Sequence, residues 1–482
     1  MTTEFQDKLQ TAMENLKGAR GWRPRDYWNF ANMLMHMPKA EKRGGEKGGV
    51  PPLHPAQVAM KMFTRMKVTY EPGTPTVVGG NHSDLRDLPD LAFPHTMEPT
   101  VALFVDAPEH LSGVSLTLQG WAEAAQQLGR PFFLHMAGAE TQIPGGKSFP
   151  KVGNLRFSSY DGLEVPVPDV KAVAAFMSGH PFDVAHLSTP GPMGLLGMRM
   201  ARNAGVPVCG TYHTDFPRYV RHLTGSEEME AFTWDFMCWF YGQMDRVAAP
   251  SEATRQDLIA HGLQGERIHV VGRGVALDQF SPAHRDMELR CAWGAAGDRP
   301  VLLYVGRVSR EKNLPLLAAA YRRMVDAGSP AVLVVVGDGP YREEMIAELA
   351  HTPAVFPGVL KGASLSAAFA SGDVFVFPSE TDTFGRVILE AQASGLPVLI
   401  SDRGGPRDAM LPERTGRIVP SVSPESFAAA AADVIAQPQR LAQWKCAART
   451  HARQFTPEAS FEAFWSLHRL ALTPETPDHA TH

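Results

Sequence analysis

The sequence of 482 residues lacks the features that mark membrane-spanning, secreted and disulfide-stabilised proteins. Its longest obvious apolar run covers residues 331–336, whereas a membrane helix needs about 20 apolar residues. The first residues, MTTEFQDKLQ, are polar and carry both charges, so they do not indicate a signal peptide. The four cysteines lie far apart and form no CxxC pair, which argues against a zinc ribbon or a disulfide framework. These absences favour a cytoplasmic protein.

A strong net charge is also missing, although the charge is unevenly distributed. The chain has 46 Lys and Arg against 51 Asp and Glu, a net charge of −5, so we expect no nucleic-acid partner. Hydrophobic residues make up 44% and charged residues 20%, which is typical of a soluble globular enzyme and excludes a disordered chain. Residues 1–67 nevertheless carry a balance of +6, and the rest carries −11. A basic N-terminal segment of this kind favours an anionic membrane surface as a partner.

Short apolar runs alternate with amphipathic stretches from residue 98 onwards, and this pattern predicts an α/β fold. Strands are predicted at 100–107, 131–138, 184–191, 206–213, 246–251, 267–275, 299–307, 331–339, 372–379 and 396–402. A polar break at 281–298 divides them into two doubly wound parallel sheets, each with a Rossmann-like arrangement. Ligands bind beyond the carboxyl ends of the strands in such sheets, which predicts a site in the cleft between the two domains.

Composition predicts where the domains begin and end. Residues 1–97 are rich in Gly, Pro and charged residues and are predicted to be a basic N-terminal extension. The two Rossmann-like domains are assigned to 98–284 and 285–454. Residues 455–482 are predicted to form an amphipathic helix followed by a disordered tail.

Two basic residues follow a predicted strand of the second domain. Arg307 and Lys312 lie in the loop YVGRVSREKN, and a helix is predicted to begin near residue 314. Two cations and a helix N-terminus can together neutralise a diphosphate. A surface salt bridge explains the same residues equally well when they are considered alone.

The stretch at 379–398 carries a more specific pattern. Asp382 lies in a loop and Glu390 lies eight positions later in a helix, and Phe384 and Gly385 precede that helix. Carboxylates accept hydrogen bonds from vicinal hydroxyls, and the free N–H groups of a helix start can bind an anion. The alternative is an acidic N-cap followed by a glutamate on the helix surface.

This half of the chain resembles the retaining glycosyltransferases of family 4, whose signature is an acidic residue, seven others and then Glu. Here the signature runs from Asp382 to Glu390, and Glu380 is a second candidate for the first acid. The resemblance extends over about 98–472 and implies the GT-B fold, in which two Rossmann-like domains face each other across a cleft and a C-terminal helix crosses over. It also implies an acceptor-side domain at 98–284 and a nucleotide-sugar-binding domain at 285–454.

Further motifs extend the resemblance. Arg307 and Lys312 match the family's diphosphate-binding loop, and Val359 and Leu360 fall where members enclose the nucleotide base. Gly113 matches a glycine loop whose amides approach the donor phosphates. The segments at 188–197 and 210–220, the second of which contains His213, resemble a subgroup that glycosylates diacylglycerol or phosphatidylinositol lipids.

The resemblance implies an enzyme that transfers a hexose from a UDP- or GDP-sugar to a hydroxyl acceptor with retention of configuration. In this scheme Arg307, Lys312 and the amides near Gly113 stabilise the leaving diphosphate. Glu390 holds the ribose, and Asp382 holds the transferred sugar. His213 contacts a sugar hydroxyl or the developing charge. The sequence contains no DxD motif or metal cluster, so neither a metal nor a cofactor is expected.

Several alternatives stay open. The enzyme could act on a soluble or polysaccharide acceptor, hydrolyse a sugar nucleotide, or bind one as a non-catalytic sensor. The basic residues 1–67, with an aromatic and methionine cluster at 23–43, favour a peripheral protein on the cytoplasmic face of a membrane with a lipid acceptor. The same cluster could instead be a helix that packs on the enzyme body.

Overall fold

The computed structural model describes residues 66–69, 98–106, 113–138, 140–157, 164–420 and 423–473. The basic segment 1–67 lies almost entirely outside the described residues, and so does the aromatic cluster at 23–43. Residues 111 and 112 of the expected glycine loop also lie outside them. Among the described helices, none combines the length and the apolar character needed to cross a bilayer.

Strands and helices alternate through the first half of the chain. In chain order they are β1 (Met66–Thr69), β2 (Val101–Phe104), α1 (Gly113–Gln127), β3 (Phe132–Ala137), β4 (Gly146–Phe149), β5 (Lys151–Phe157), β6 (Glu164–Pro168), α2 (Val170–Met177), β7 (Val184–Leu187), α3 (Pro192–Ala204), β8 (Val208–Thr211), α4 (Phe216–Thr224), α5 (Glu227–Gly242), β9 (Arg246–Ala249), α6 (Glu252–Ala260) and β10 (Ile268–Val270).

Seven of these strands form one parallel sheet in the order β10-β9-β8-β7-β2-β3-β4. Its central strands β2, β7 and β8 are buried throughout, because helices cover both faces of a parallel sheet. Helix α1 ends just before Gly129, which takes a left-handed conformation with φ of 63°. The carboxyl ends of the strands all point to one edge of the sheet, and the loops that follow β2, β7 and β8 therefore meet there.

A small antiparallel sheet connects the first domain with the preceding segment. Its strand order is β1-β5-β6, and Met66 to Thr69 pair with Phe157 to Asn154. β1 lies within the stretch 1–97 that the sequence assigns to the N-terminal extension. Residues 66–69 of that stretch are therefore joined to the first domain by backbone hydrogen bonds.

The second half repeats the alternation. Its elements are α7 (Met287–Ala292), β11 (Val301–Val305), α8 (Leu314–Asp326), β12 (Val332–Val336), α9 (Arg342–Glu348), β13 (Ala354–Gly358), α10 (Gly362–Ser371), β14 (Val374–Phe377), α11 (Arg386–Ala393), β15 (Val398–Ser401), β16 (Gly416–Val419), α12 (Pro424–Ile435), α13 (Pro438–Ala452) and α14 (Pro457–Leu472). The parallel sheet has the order β13-β12-β11-β14-β15-β16. The chain crosses between β13 and β14, so β11 and β14 lie side by side and their following loops are neighbours.

The last helix returns to the first domain. Phe461, Phe464 and Trp465 of α14 are buried in the core of the first sheet, together with Leu134 of β3. The indole Nε1 of Trp465 donates a hydrogen bond of 2.7 Å to Glu98 Oε2. The predicted α/β fold with two parallel sheets and a C-terminal crossover helix is confirmed.

Candidate active site

The carboxyl ends of the two sheets face each other and are in direct contact. The hydroxyl of Thr383, from the loop after β14, donates a hydrogen bond of 2.7 Å to the carbonyl of His213, from the loop after β8. The Thr383 carbonyl in turn accepts a hydrogen bond of 2.7 Å from Ser251 Oγ at the start of α6. Tyr219 of α4 reaches Glu311 across the same cleft at 3.2 Å. The loops that carry the sequence-predicted residues therefore come together where the domains meet.

Lys312 and Asp382, predicted from separate motifs, form an ion pair in this cleft. Lys312 Nζ lies 2.8 Å from Asp382 Oδ2, because the loops after the neighbouring strands β11 and β14 converge. Arg307 is more exposed, with 41% of its side chain accessible, and its Nε lies 3.9 Å from Glu311 Oε1. Glu311 is buried and accepts a hydrogen bond of 2.5 Å from Ser309. Glu311 thus fixes the loop that carries the two cations.

Two strand ends in this region approach each other backbone to backbone. Gly337, after β12, has φ of 134°, and an added Cβ would lie 1.9 Å from the carbonyl oxygen of Gly306. A side chain at Gly337 would therefore displace the turn that carries Arg307. This contact explains the glycine at 337, whereas a Cβ added at Gly306 would instead lie 2.9 Å from the Tyr304 hydroxyl oxygen.

The two candidate acids on the loop after β14 have different partners. Asp382 pairs with Lys312, whereas Glu380 accepts a hydrogen bond of 3.3 Å from Asn313 Nδ2 and lies 3.7 Å from Arg403. Both carboxylates are partly buried, with 22% and 23% of their side chains accessible. Only Asp382 is directly joined to the predicted diphosphate-binding cations.

Glu390 is buried, with only 6% of the residue accessible. It lies in α11, which begins after Gly385 in a left-handed conformation with φ of 74°. Arg386 Nε lies 3.2 Å from Glu390 Oε1. Burial raises the pKa of the Glu390 carboxyl, and the Arg386 charge opposes this shift. The alternative of a glutamate on the helix surface is therefore wrong. Phe384, next to Gly385, is buried in the core and supports the start of α11.

Three further predicted residues lie directly after a strand or at the start of a helix. Val359, directly after β13, is 59% exposed, and Leu360 is partly buried against the core of the second domain. An exposed apolar side chain at the end of a strand is a suitable surface for a nucleotide base. Gly113 is the first residue of α1, and an added Cβ would meet no described atom within 4 Å. The described protein residues therefore do not themselves require glycine at that position.

Both ring nitrogens of His213 are engaged. Nε2 lies 2.8 Å from Ser188 Oγ, and Nδ1 lies 3.2 Å from Nη2 of Arg273. Burial lowers the pKa of the imidazole well below its usual value, and the Arg273 charge lowers it further. His213 is therefore neutral at physiological pH.

Several polar residues of the first domain were not predicted from the sequence. Arg273 is only 7% exposed, and its guanidinium lies 5.2 Å from the ring of Trp121. Asp106, after β2, accepts hydrogen bonds from Thr189 Oγ1 at 2.6 Å and from the Met193 amide at 2.7 Å. Burial raises the pKa of Asp106 to about 6. No sequence pattern indicated that Arg273 contacts His213, which lies 60 positions away.

A small cavity lies between the domains beside this cluster. Its wall on the first-domain side includes Arg218, which bridges Asp215 at 3.2 Å and Asp257 at 2.8 Å. Its wall on the second-domain side includes Asp382 and Thr383. Burial raises the pKa of Asp215. The cavity thus offers carboxylate oxygens that can accept hydrogen bonds from hydroxyl groups.

Comparison with known proteins identifies the family. The protein-family model described as "Glycosyltransferase Family 4" matches residues 111–279. The family model described as "Glycosyl transferases group 1" matches residues 287–451. A GDP-mannose-dependent alpha-mannosyltransferase of Mycolicibacterium smegmatis is 36% identical over 278 residues, which cover 58% of this chain and 71% of that protein. The chain belongs to glycosyltransferase family 4. The sulfoquinovosyl transferase SQD2 of Arabidopsis thaliana is 35% identical over 237 residues, which cover 49% of this chain and 46% of that protein.

Solved structures agree on the fold. Anabaena HepE, in complex with UDP and glucose, matches with a TM-score of 0.62 at 19% identity, over 76% of this chain and 98% of that chain. Sucrose-phosphate synthase from Thermosynechococcus elongatus matches with a TM-score of 0.61 at 20% identity, over 77% and 98% of the two chains. The recognised family, the GT-B fold and the class of enzyme, a glycosyltransferase that uses a nucleotide sugar, are confirmed. The roles of individual site residues stay predictions, and so do the positions of the domain boundaries.

Proposed function

We propose that this enzyme transfers a hexose from a GDP- or UDP-sugar to a hydroxyl group of a membrane lipid, with retention of configuration. The observation that carries the proposal is the convergence of Lys312, Asp382 and His213 in the cleft between the two sheets. Relatives support the lipid acceptor. Alpha-monoglucosyldiacylglycerol synthase of Streptococcus pneumoniae is 28% identical over 45% of this chain and 51% of its own.

The leaving diphosphate is bound on the second-domain side of the cleft. Arg307 and Lys312 supply positive charge, and the free N–H groups at the start of α11 supply hydrogen bonds. Negative charge increases on the phosphate oxygen as its bond to the anomeric carbon breaks, so groups fixed in a closed cleft stabilise the transition state more than the substrate.

The acceptor oxygen forms its bond to the anomeric carbon on the same face, while the bond to phosphate breaks. The acceptor proton passes to the departing phosphate oxygen, so no protein base is needed. A neutral His213 fits this scheme, because it can donate a hydrogen bond without carrying charge. Asp382 binds hydroxyls of the transferred sugar, and Glu390 binds the ribose.

Metal independence is part of the proposal. Among the described residues, no three His, Cys, Asp or Glu side chains lie together as possible metal ligands. The basic groups of the loop after β11 supply the charge that a divalent cation supplies to a diphosphate in other transferases. Activity in the presence of a chelator would test this part of the scheme separately.

The experiment is a transfer assay with radiolabelled GDP-mannose, UDP-glucose, UDP-galactose and UDP-glucuronate. Each donor is offered diacylglycerol or phosphatidylinositol in vesicles, or a soluble glycan, and the anomeric configuration of the product is determined by NMR. Transfer to lipid with retention supports the proposal. Transfer only to the soluble glycan, hydrolysis of the donor with every acceptor, or binding without turnover would each contradict it and favour one of the three alternatives.

A further inference from the structure

Arg273 is a buried guanidinium at the edge of the proposed site. It lies after β10, where Nη1 donates a hydrogen bond of 3.1 Å to the Val271 carbonyl and Nη2 lies 3.2 Å from Nδ1 of His213. Among the described residues it has no carboxylate partner, and burial together with the nearby charge of Arg386 lowers its pKa to about 9. A buried cation without an anionic partner is costly, which implies that its position serves a purpose.

The chemistry of the guanidinium fixes the direction of this hydrogen bond. Arginine has five N–H donors and no acceptor, so Nδ1 of His213 must carry a lone pair. A neutral imidazole has one N–H, which must then be on Nε2, and Nε2 donates to Ser188 Oγ at 2.8 Å. We propose that Arg273 is a positioning residue that holds His213 as the Nε2–H tautomer, with a hydrogen-bond donor directed towards the end of β7.

The other groups around His213 act in the same direction. The Arg273 charge opposes a positive charge on the His213 ring, and Arg386 of α11 lies close enough to Arg273 to affect its pKa. His186 of β7 is buried and its pKa is well below the usual value, so this neutral imidazole offers no negative charge that could stabilise a positive charge on His213. A proton on Nδ1 of His213 would also point at an N–H group of Arg273, so two donors would face each other with no acceptor between them. The surroundings therefore disfavour the imidazolium as well as the wrong tautomer.

The C-terminal helix holds Arg273 in place. Trp121, whose ring contacts the Arg273 guanidinium, stacks on Phe464 of α14 with ring centroids 3.8 Å apart. Ser460 accepts a hydrogen bond of 3.4 Å from Trp121 Nε1 and donates one of 2.8 Å to the Gly272 carbonyl. The same helix thus fixes the aromatic ring beside Arg273 and the backbone next to it.

The functional consequence rests on the proposed function. An Nε2–H group can donate to a hydroxyl oxygen of the transferred sugar, either alongside Ser188 or in its place. It cannot accept the acceptor proton, which in the proposed reaction passes to the departing phosphate. Arg273 therefore sets which role His213 can take, although Arg273 itself need not touch the substrate.

The tautomer is measured by long-range ¹H–¹⁵N NMR on the full chain with labelled histidine. The His213 signals are identified by their absence from His213→Gln. We expect protonated Nε2 and unprotonated Nδ1 in the wild-type protein, with no titration between about pH 6 and 8. In Arg273→Met we expect a mixture of tautomers and a pKa closer to the usual value. A wild-type protein protonated on Nδ1, or an Arg273→Met protein with an unchanged tautomer, would overturn the proposal.

Arg290→Met is the matched control, because Arg290 is another buried arginine and lies in the second domain, paired with Asp373. It should lower thermal stability without changing the His213 signals. Arg273→Lys keeps the charge and a donor, and should preserve the tautomer better than Met if Arg273→Met fails to fold. With the active donor, Arg273→Met should lower kcat by up to about a hundredfold with a smaller change in KM, the scale of a small misplacement of a reacting group. An unchanged kcat would contradict the role in catalysis, whereas the NMR results need no substrate and so do not depend on the proposed function.

Discussion

The two halves of the active-site cleft are built in different ways. On the second-domain side, Arg307, Lys312 and Asp382 come from two loops after adjacent strands. Glu390 lies in helix α11, which follows the second loop, and all four residues belong to short sequence motifs. On the first-domain side, His213 is contacted by residues from other loops, separated from it by 25 and 60 positions. Charges and ion pairs predominate in the first set, whereas buried and mostly neutral hydrogen bonds predominate in the second.

The difference shows what each side of the cleft contributes. The charged residues of the second domain lie close together in sequence, within two short motifs. Their charges suit a diphosphate, which is the same group in every nucleotide-sugar donor. The first-domain side is assembled from loops that follow several strands of the sheet. The partners of His213 are buried there, and they fix the direction of its hydrogen bonds rather than its charge. We therefore expect substitutions in the second domain to change binding and rate through lost charge, and those in the first domain to act through geometry and protonation.

The largest effect is expected for Lys312→Ala. It removes a cation directed at the leaving diphosphate and leaves Asp382 without its ion-pair partner at 2.8 Å. Turnover should fall by about 10²–10³, equivalent to ~2.7–4 kcal/mol of transition-state stabilisation. Initial rates with the active donor measure the effect.

Lys445→Ala is the matched control for this prediction. Lys445 Nζ lies 2.9 Å from Asp373 Oδ1 in the second domain, so this lysine also has an aspartate as its ion-pair partner. It is not one of the residues predicted to bind the donor. It should keep nearly the full rate. Equal losses in the two variants would show that the charge on the second-domain side acts on stability rather than on catalysis.

A somewhat smaller effect separates the two carboxylates. Glu390→Gln keeps the size of a buried side chain that Arg386 contacts at 3.2 Å but removes its charge. Hydrogen bonds to charged groups contribute about 1.5–3 kcal/mol, so affinity for the free nucleotide should fall by about 10–100-fold. Asp382→Asn should lower turnover while changing nucleotide affinity little. Isothermal titration with UDP and GDP measures both affinities.

Activity measurements on the same kind of variants decide between the two candidates for the sugar-binding acid. Glu380→Gln should retain most of the activity, because Glu380 contacts Asn313 and Arg403 rather than the predicted diphosphate cations. Loss of activity in Glu380→Gln alone would mean that the wrong acid was assigned to the signature. Equal loss of nucleotide affinity in Glu390→Gln and Asp382→Asn would contradict the division of roles.

The sequence predicted the fold and one side of the cleft much better than the other. Buried parallel strands are continuous apolar runs, and β2, β11 and β14 were visible for that reason. The short strands β4 and β16, with their Gly, Lys and Arg, have no such run and were missed. Arg273 was missed as a partner of His213 because a contact over 60 positions depends on strand order, which periodicity does not determine.

The buried histidines of the first domain predict a dependence of stability on pH. His186 Nδ1 lies 2.9 Å from His468 Nε2 of α14, and burial lowers the pKa of His468 to about 3. A histidine with a lowered pKa in the folded protein binds fewer protons than in the unfolded chain. Its contribution is therefore present above about pH 6.5 and is lost as the pH falls towards 3.

Between pH 6.5 and 5, the shift of His468 should cost about 2 kcal/mol of unfolding free energy. His468→Gln can still accept a hydrogen bond from His186 but does not titrate, so its stability should fall less steeply with pH. Urea unfolding at several pH values measures the slope. His222→Gln, at an exposed histidine of α4, should keep the wild-type slope. Identical slopes for wild type and His468→Gln would show that the pair does not control acid stability.

The smallest effect concerns the basic residues 1–67. A basic residue close to an anionic bilayer contributes about 1 kcal/mol, so replacing Lys42 and Arg43 with Gln should weaken binding to phosphatidylserine vesicles by about 10–30-fold at low salt. The wild-type protein should leave the vesicles as salt shortens the Debye length below about 8 Å.

The matched control replaces Arg322 and Arg323, an adjacent exposed pair on α8, and should sediment with vesicles as the wild type does. Equal weakening in both double variants would indicate a response to net charge alone. No binding of the wild type at any salt would favour the alternative that this segment packs on the enzyme body, and deleting it should then lower thermal stability rather than activity on a lipid.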